Sequence, residues 1–345
     1  MHTIDLKNYD LRTDLVIDDI NAERKRKSLL KVIAETKNSK LEEIEITKDL
    51  EEKFRKKAGV YSTVTFKDIT DKNNYKDVEQ ATINALKRTY QHLNMTTSSK
   101  VLIIGLGNDK STPDSLGPKS IDHVLVTRHL FALGEVEEGY KNTASFKPSV
   151  TGITGIETKE LIEGIISKTS PDVLIIIDAL ASNSIDRLNK TIQISTAGIN
   201  PGSGIGNNRI EISQETMHIP VIAIGVPTVV DATTIVQDTL KLLLKQISYN
   251  LENKHNTKLK LVPLKHQNYE DHNENLTEEE KEDILGMVGL LKEEELKRLL
   301  LEVLLPVNYN LMVTPKEIDY TIEKLSLLLG NSINKSLHDH FNPTN

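Results

Sequence analysis

The sequence predicts an α/β protein, a three-layer α/β/α sandwich with a mostly parallel sheet and a helical C-terminal region. Three short apolar runs carry this prediction: Lys100–Gly105, Val173–Ile177 and Val221–Val226. Such runs are typical of strands buried on both faces, as in parallel sheets. Helix-like segments at Ser115–Phe131 and Glu157–Lys168 separate the first two runs. A strand–helix–strand order gives a right-handed crossover between parallel strands.

Local patterns predict the remaining elements. Val60–Ile69 is rich in β-branched and aromatic residues and predicts a strand. Val78–Leu93 carries apolar residues at helical spacing. Capping boxes predict helix starts within Thr277–Glu280 and Thr314–Glu317, the second with a proline at the first helical position.

Composition excludes several classes of site and partner. The 345 residues include no cysteine, so disulfides, cysteine nucleophiles and thiolate metal sites are excluded. The net charge of −7 gives no general drive toward nucleic acid, which clustered positive charge binds. Only 4% of residues are aromatic and tryptophan is absent, which argues against stacking platforms for single-stranded nucleic acid.

Charge is concentrated in one part of the chain. Residues 270–300 hold 11 acidic and 4 basic side chains, an excess as large as that of the whole chain. The rest of the sequence is therefore close to neutral. We interpret residues 250–300 as an acidic helical insert, and about 315–340 as a C-terminal helix.

The apolar segments predict no membrane association. None approaches the roughly 20 residues that span a bilayer. Residues Met1–Asp10 mix acids with apolar side chains and do not resemble a signal peptide. The predicted location is the cytoplasm.

Two aspartates are the strongest candidates for chemistry. Asp178 directly follows the run Val173–Ile177, and ligands bind at the carboxyl edge of open α/β sheets. Asp114 lies in the loop after the first run, just before a helix. Each has a structural alternative: Asp178 as a hydrogen-bonded partner of a neighbouring loop, and Asp114 as a helix N-cap.

The two carboxylates would face each other across one crevice. Two close carboxylates cannot both ionise cheaply, so one holds a proton that it can donate while the other can activate water. Such a pair can act as general acid and general base in the hydrolysis of an amide. Asp114 and Asp178 are therefore predicted to be a catalytic pair.

A glycine-rich segment after the second apolar run is a weaker candidate. It could supply backbone donors to an oxyanion or hold an extended peptide; the alternative is a plain surface loop. The candidate residues are Gly198, Asn200, Gly202, Ser203 and Gly204. Ser203 has no identifiable catalytic partner, and the sequence has no His-Glu-x-x-His motif and no Gly-x-Ser-x-Gly elbow.

Several sequence blocks resemble one known family. Together they span nearly the whole chain and are similar to the germination protease family of spore-forming Gram-positive bacteria. The blocks are Tyr9–Leu15, Gly105–Asn108, Thr112–Pro118, Val124–Phe131, Ile177–Ala181, Asn200–Gly204, Ile219–Asp231 and Asn310–Lys316.

The resemblance implies a function and a site. It implies an endopeptidase that degrades small acid-soluble spore proteins during germination, with Asp114 and Asp178 as the catalytic pair and the spore core as its location. It implies a zymogen that removes residues 1–14 by cutting the Asp14–Leu15 bond, and a homotetramer. Residues 15–345 would form one peptidase domain with its core at about 95–240, and a fold like that of the hydrogenase maturation proteases.

Two alternatives stay open beside this interpretation. One is a metal-dependent maturation-type peptidase, although the glycine-rich segment offers Asn200 where a histidine ligand would be needed. The other is a non-catalytic module that binds spore proteins in the same crevice. The expectation is an enzyme without metal or cofactor, with no nucleic acid or membrane partner.

Overall fold

The computed structural model describes residues 15–16, 30–54, 56–202, 210–254, 272–304 and 311–341. Nine strands lie within these ranges. The strands are β1 Lys31–Glu35, β2 Ser39–Ile46, β3 Gly59–Phe66, β4 Val101–Gly105, β5 Thr143–Phe146, β6 Val173–Ser182, β7 Thr191–Ser195, β8 Val221–Asp231 and β9 Met312–Val313.

Eleven α-helices lie within the same described ranges. The helices are α1 Glu51–Phe54, α2 Lys72–His92, α3 Leu116–Ile121, α4 Arg128–Leu133, α5 Thr151–Thr154, α6 Thr158–Thr169, α7 Gln214–Met217, α8 Ala232–Glu252, α9 Glu278–Leu285, α10 Glu293–Leu304 and α11 Ile318–Leu337.

The strands form a mixed sheet in the order β1-β2-β3-β7-β8-β6-β4-β5, with β9 added against β8. The strand β4 pairs in parallel with β5 and β6, and Val101 lies opposite both Thr143 and Val173. The pairs β1/β2, β2/β3, β3/β7 and β7/β8 are antiparallel. The predicted parallel arrangement is therefore found around β4 and β6, and the other half of the sheet departs from it.

Helices cover both faces of the sheet, as the alternation along β4 shows. Val101 and Ile103 join a cluster with side chains of α2, α3 and α11, whereas Leu102 and Ile104 join a second cluster with side chains of α6 and α7. Successive side chains of a strand point to opposite faces, so an unbroken apolar run is buried on both faces of the sheet. The predicted three-layer α/β fold class is confirmed.

The described residues fall into two compact units. The larger holds the described residues of Asp10–Ser182, Asp186–Val229 and Thr314–Asn345, and the smaller holds those of Asn183–Ile185 and Val230–Val313. In the smaller unit, α8 packs against α10. The prediction of one domain over residues 15–345 stays a prediction.

Two predicted helix boundaries were wrong. The segment Ser115–Phe131 is not one helix, because the chain leaves the helical conformation between α3 and α4. There the Thr127 hydroxyl contacts the Thr143 hydroxyl at 3.0 Å, which ties this connection to β5. Thr314 does not cap α11; its hydroxyl donates to the carbonyl of Thr228, and Glu317 occupies the N-cap position without a side-chain bond.

Other local predictions were right. The predicted capping box at the start of α9 is present, with the Glu280 amide donating to Thr277 at 3.2 Å and the Thr277 amide donating to Glu280 at 2.8 Å. Among the described helices, none is long and apolar enough to cross a membrane.

Candidate active site

Asp178 lies inside a strand and not after its end. The apolar run Val173–Ile177 predicted a strand that ends before Asp178, but β6 continues to Ser182, so the predicted strand end is wrong. The neighbouring strand β4 does end here, since its last residue, Gly105, pairs with Ile177. Asp178 is thus the first residue of β6 beyond the carboxyl end of β4, at the sheet edge where ligands bind in such folds.

The Asp178 side chain is buried. It is 5% exposed, and its Oδ1 accepts a hydrogen bond of 2.9 Å from the amide of Ala179. A carboxylate buried to this degree costs free energy unless hydrogen bonds or charges compensate it. A buried carboxylate at the ligand-binding edge of a sheet is a candidate for a functional role.

Asp114 occupies a short 3-10 turn, Thr112–Asp114, between β4 and α3. Its amide donates to the Ser111 carbonyl at 2.8 Å, and its own carbonyl accepts from the Asn108 amide at 3.0 Å. The N-cap of α3 is Ser115. Asp114 precedes the N-cap position by one residue, and both interpretations of its half-buried carboxyl stay predictions.

Two glycines, one in α3 and one in the loop after β4, allow the backbone to approach β6 closely. The Leu106 amide donates to the Ile177 carbonyl at 2.8 Å. A Cβ on Gly117 would lie 2.2 Å from the Leu106 carbonyl oxygen and 2.5 Å from that of Ile177. Only glycine fits this position, so α3 starts in direct backbone contact with the residue before Asp178.

A second glycine places the Asp114 turn. Gly107 has φ +117°, and a Cβ there would lie 1.9 Å from the Asp114 carbonyl oxygen and 3.2 Å from its Oδ1. The turn Thr112–Asp114 contacts β6, the strand of Asp178. The structure thus brings the two predicted acids to the same end of the β4–β6 pair.

The glycine-rich segment is anchored at its base. Ile199 and Ile212 exchange two backbone hydrogen bonds of 2.9 Å, and Gly198, at φ +84°, has the Ile212 carbonyl oxygen 2.5 Å from the position of a Cβ. Asn200 is exposed, and Gly202 has φ +72°. Ser203 and Gly204 lie outside the described residues, and the predicted oxyanion or peptide-binding role stays a prediction.

An ion-pair cluster lies next to Ile212, the residue that pairs with Ile199 of the glycine-rich segment. The Lys57 ammonium lies 2.5 Å from Glu211 and 3.3 Å from Glu215. Burial acts to lower the pKa of Lys57, but the two carboxylates outweigh burial and raise it. Lys57 precedes β3, so the pair attaches the segment to the sheet.

Of the two residues that flank the predicted processing bond, one lies among the described residues. Asp14 lies outside the described residues, whereas Leu15 is fully buried and contacts Leu180 on β6. The next amide, of Val16, donates to Gln193 Oε1 at 2.7 Å. Sequence reasoning missed Leu180 and Gln193, although Leu180 follows Asp178 by two residues and period-2 alternation places both on one face.

Within the described part of the chain, no group of three or more His, Asp or Glu side chains is placed to hold a metal ion.

Comparison with known proteins gives a consistent family. The sequence model of the germination protease family matches residues 11–345. The chain is 41% identical over 362 residues to a germination protease of Priestia megaterium, covering 99% of this chain and 97% of that protein. It is 40% identical over 367 residues to one of a Geobacillus species, covering 99% and 98%. One of Bacillus cereus is 41% identical over 359 residues, covering 99% and 97%.

A solved structure also shows a partial likeness. It is the crystal structure of a [NiFe] hydrogenase maturation protease from Thermococcus kodakarensis, 16% identical with a TM-score of 0.28, covering 42% of this chain and 80% of that chain. The sequence matches extend over nearly the full length of this chain and of its relatives, and they show the family. The chain belongs to the germination protease family.

Proposed function

We propose that the chain is an aspartate-dependent endopeptidase that starts the degradation of small acid-soluble spore proteins during germination. The observation that carries this proposal is the buried Asp178 in β6 with the Asp114 turn packed on the same strand. Membership of a germination protease family supports the peptidase activity and its setting. The aspartate mechanism and the substrate are our inference from the site.

The proposed chemistry is hydrolysis by a shared-proton pair. One carboxylate takes a proton from water while the water oxygen attacks the carbonyl carbon of the peptide bond. The other, protonated carboxyl gives its proton to the amide nitrogen as the C–N bond breaks. The products are a new carboxyl group and a new amine, and the pair again holds one proton, now on the opposite member.

We further propose that the chain is made as a zymogen. Leu15 is buried against β6, the strand that carries Asp178, and this contact supports a processing bond next to the candidate site. Self-cleavage at Asp14–Leu15 would release residues 1–14 and free this region for substrate. Self-association as a homotetramer and location in the cytoplasm of the spore core complete the proposal, with no nucleic acid or membrane partner.

The experiment is cleavage of a purified small acid-soluble spore protein by the processed chain. We expect wild-type turnover, and its loss in Asp114→Asn and Asp178→Asn with unchanged circular dichroism. Full activity in both variants would refute the aspartate mechanism. Binding of the spore protein without turnover would favour the non-catalytic module, and loss of activity with a chelator, restored by one metal, would favour a metallopeptidase.

A further inference from the structure

Two consecutive residues at the start of the described chain pack in different places. Val16 is fully buried in a cluster with side chains of α1, β2 and β3. Leu15 is equally buried, but it joins a separate small cluster with Leu180, against which Ile199 also packs. Val16 is thus part of the core, whereas Leu15 occupies a pocket made by β6 and the glycine-rich segment.

The Leu15 pocket, formed by Leu180 and Ile199, lies beside Asp178. Side chains two residues apart on a strand project to the same face, about 7 Å apart along the chain. Asp178 and Leu180 are such a pair on β6. Leu15 therefore sits on the Asp178 side of the sheet, and it is the residue that follows the proposed processing bond.

The neighbouring strand sets the depth of the pocket. Leu180 lies across Gly225 of β8, where an added Cβ would be 2.3 Å from Leu180 Cδ1. Ile199 is held by its two backbone bonds to Ile212. Gln193 on β7 accepts the amide hydrogen of Val16 through Oε1 at 2.7 Å, which fixes the backbone one residue beyond Leu15.

We propose that Leu180 and Ile199 form the substrate pocket for the side chain immediately C-terminal to the cleaved bond. Gln193 is a positioning residue that binds the next backbone amide. The ligand class is an extended peptide with a large aliphatic residue directly after the cleaved bond. This inference rests on the proposed function, since it names the specificity pocket of that same site.

Leu15 acts in this scheme as the first occupant of the pocket. While the chain is intact, Leu15 fills the pocket and holds the bond before it near Asp178. After cleavage, Val16 stays anchored in its own cluster and to Gln193, so Leu15 becomes a single free terminal residue. Its side chain can leave, and the side chain of a substrate takes its place.

The test is a size-exchange experiment in the full-length chain, with self-cleavage followed by intact mass. Leu15→Phe overfills the pocket and Leu180→Ala enlarges it; each is expected to slow cleavage about tenfold or more, the scale of methylene mismatches in apolar pockets. The double variant is expected to return to within a few-fold of wild type. If it is as slow as the product of the two single effects, Leu180 does not form the pocket.

A second measurement uses peptides and a milder variant. Processed wild type is expected to prefer Leu or Ile after the cleaved bond, and Leu180→Val to shift the preference toward Phe, while the exposed control Leu133→Ala leaves it unchanged. Gln193→Met is expected to raise KM severalfold with a smaller change in kcat. If Leu180→Val cleaves peptides with unchanged preference, the assignment of the pocket is overturned but the proposed function is not. If the wild type cleaves no peptide, the proposed function is overturned as well.

Discussion

The backbone amide of Leu106 donates a hydrogen bond of 2.8 Å to the carbonyl oxygen of Ile177. This bond continues the β4–β6 pairing one residue past the end of β4. It holds the start of the loop that carries Asp114 against the residue that precedes Asp178. The relation between the two acids is therefore set by main-chain contacts, which mutation of surrounding side chains would alter little.

Gly117→Ala is predicted to be destabilising and inactivating. The added methyl group would lie 2.2 Å from the Leu106 carbonyl oxygen and 2.5 Å from that of Ile177, so backbone must move. Overpacking of this kind costs about 1–3 kcal/mol or more. Urea unfolding and the spore-protein cleavage assay measure the two effects.

Gly164→Ala is the matched control for that variant. Gly164 lies in α6, and a Cβ there meets no heavy atom within 4 Å. Alanine in a helix interior is about 0.5–1 kcal/mol more favourable than glycine. Unchanged or raised stability is expected, with normal activity. Equal loss in both glycine variants would mean that the contact at Gly117 has no special role.

The buried strands of the sheet and Asp178 could be predicted because a strand buried on both faces gives a continuous apolar run in the sequence. The run Val173–Ile177 is apolar on both faces, and the aspartate that directly follows it stands out. Whether a buried strand runs parallel or antiparallel to its neighbour cannot be predicted from such a run. The strands β3 and β7 have the same buried character as β4, and their antiparallel pairing follows from chain connections far apart in sequence.

Long-range contacts explain the other errors. The break between α3 and α4 is tied to β5 through Thr127, and the Thr314 hydroxyl turns to Thr228 instead of capping α11. Local spacing cannot report a partner that lies tens of residues away. The same reason hid the contact of Leu15 with Leu180, which joins the start of the chain to the middle of β6.

Arg88→Ala is predicted to lower the free energy of unfolding by about 2–3 kcal/mol. Arg88 binds buried Glu43 through Nε at 2.9 Å and Nη2 at 2.8 Å. Removing the charged partner of a carboxylate costs about 3–5 kcal/mol when both groups are buried. The partial exposure of Arg88 reduces that figure. The contacts of Glu43 with Ser62 and His92, which the variant keeps, reduce it further. Urea unfolding measures it.

Lys147→Ala serves as the control, because Lys147 pairs with the exposed Asp122. A loss below about 1 kcal/mol is expected for such a pair. The Arg88 guanidinium holds the pKa of Glu43 below its ordinary value, so this stabilisation is complete at neutral pH and is lost as pH falls through the folded-state pKa. In Arg88→Ala, the free energy of unfolding should therefore fall less steeply as the pH decreases from neutral. The same pH dependence as in the wild type would contradict this.

His338 is predicted to make the fold acid-sensitive. Burial, aided by the nearby Lys141 charge, lowers the pKa of His338 to about 4, while its Nδ1 accepts a hydrogen bond from the Lys141 amide at 3.2 Å. The folded state then holds the ring neutral while the unfolded chain protonates it near pH 6.5. Stability is therefore lost as pH falls from about 6.5 toward 4.

Thermal unfolding at pH 7.5 and pH 5 measures that effect. The drop in Tm on acidification is expected to shrink in His338→Asn, which can keep an acceptor for the Lys141 amide without a titrating ring. The exposed His129→Asn should keep the full drop. A drop that is the same in all three proteins would exclude His338 as its source.

Asp14→Ala is predicted to prevent maturation at the bond before Leu15, and Asp14→Glu to permit it. The proposed processing bond joins an acid, Asp14, to an apolar residue, Leu15, so we expect the site to require an acid before the cleaved bond. Mass spectrometry of the new N-terminus distinguishes the outcomes. Normal maturation of the alanine variant at this bond would show that the acid preference is wrong.

The most direct measurement of the central claim is kcat/KM for Asp114→Asn, Asp178→Asn and the double variant on one spore protein, with each fold verified. Two groups that pass a single proton act as a unit, so their losses do not add. Each single variant is expected to lose about 10²–10⁴-fold, and the double variant no more than the worse single one. Undiminished turnover in either single variant, or multiplied losses in the double, would contradict a shared-proton pair.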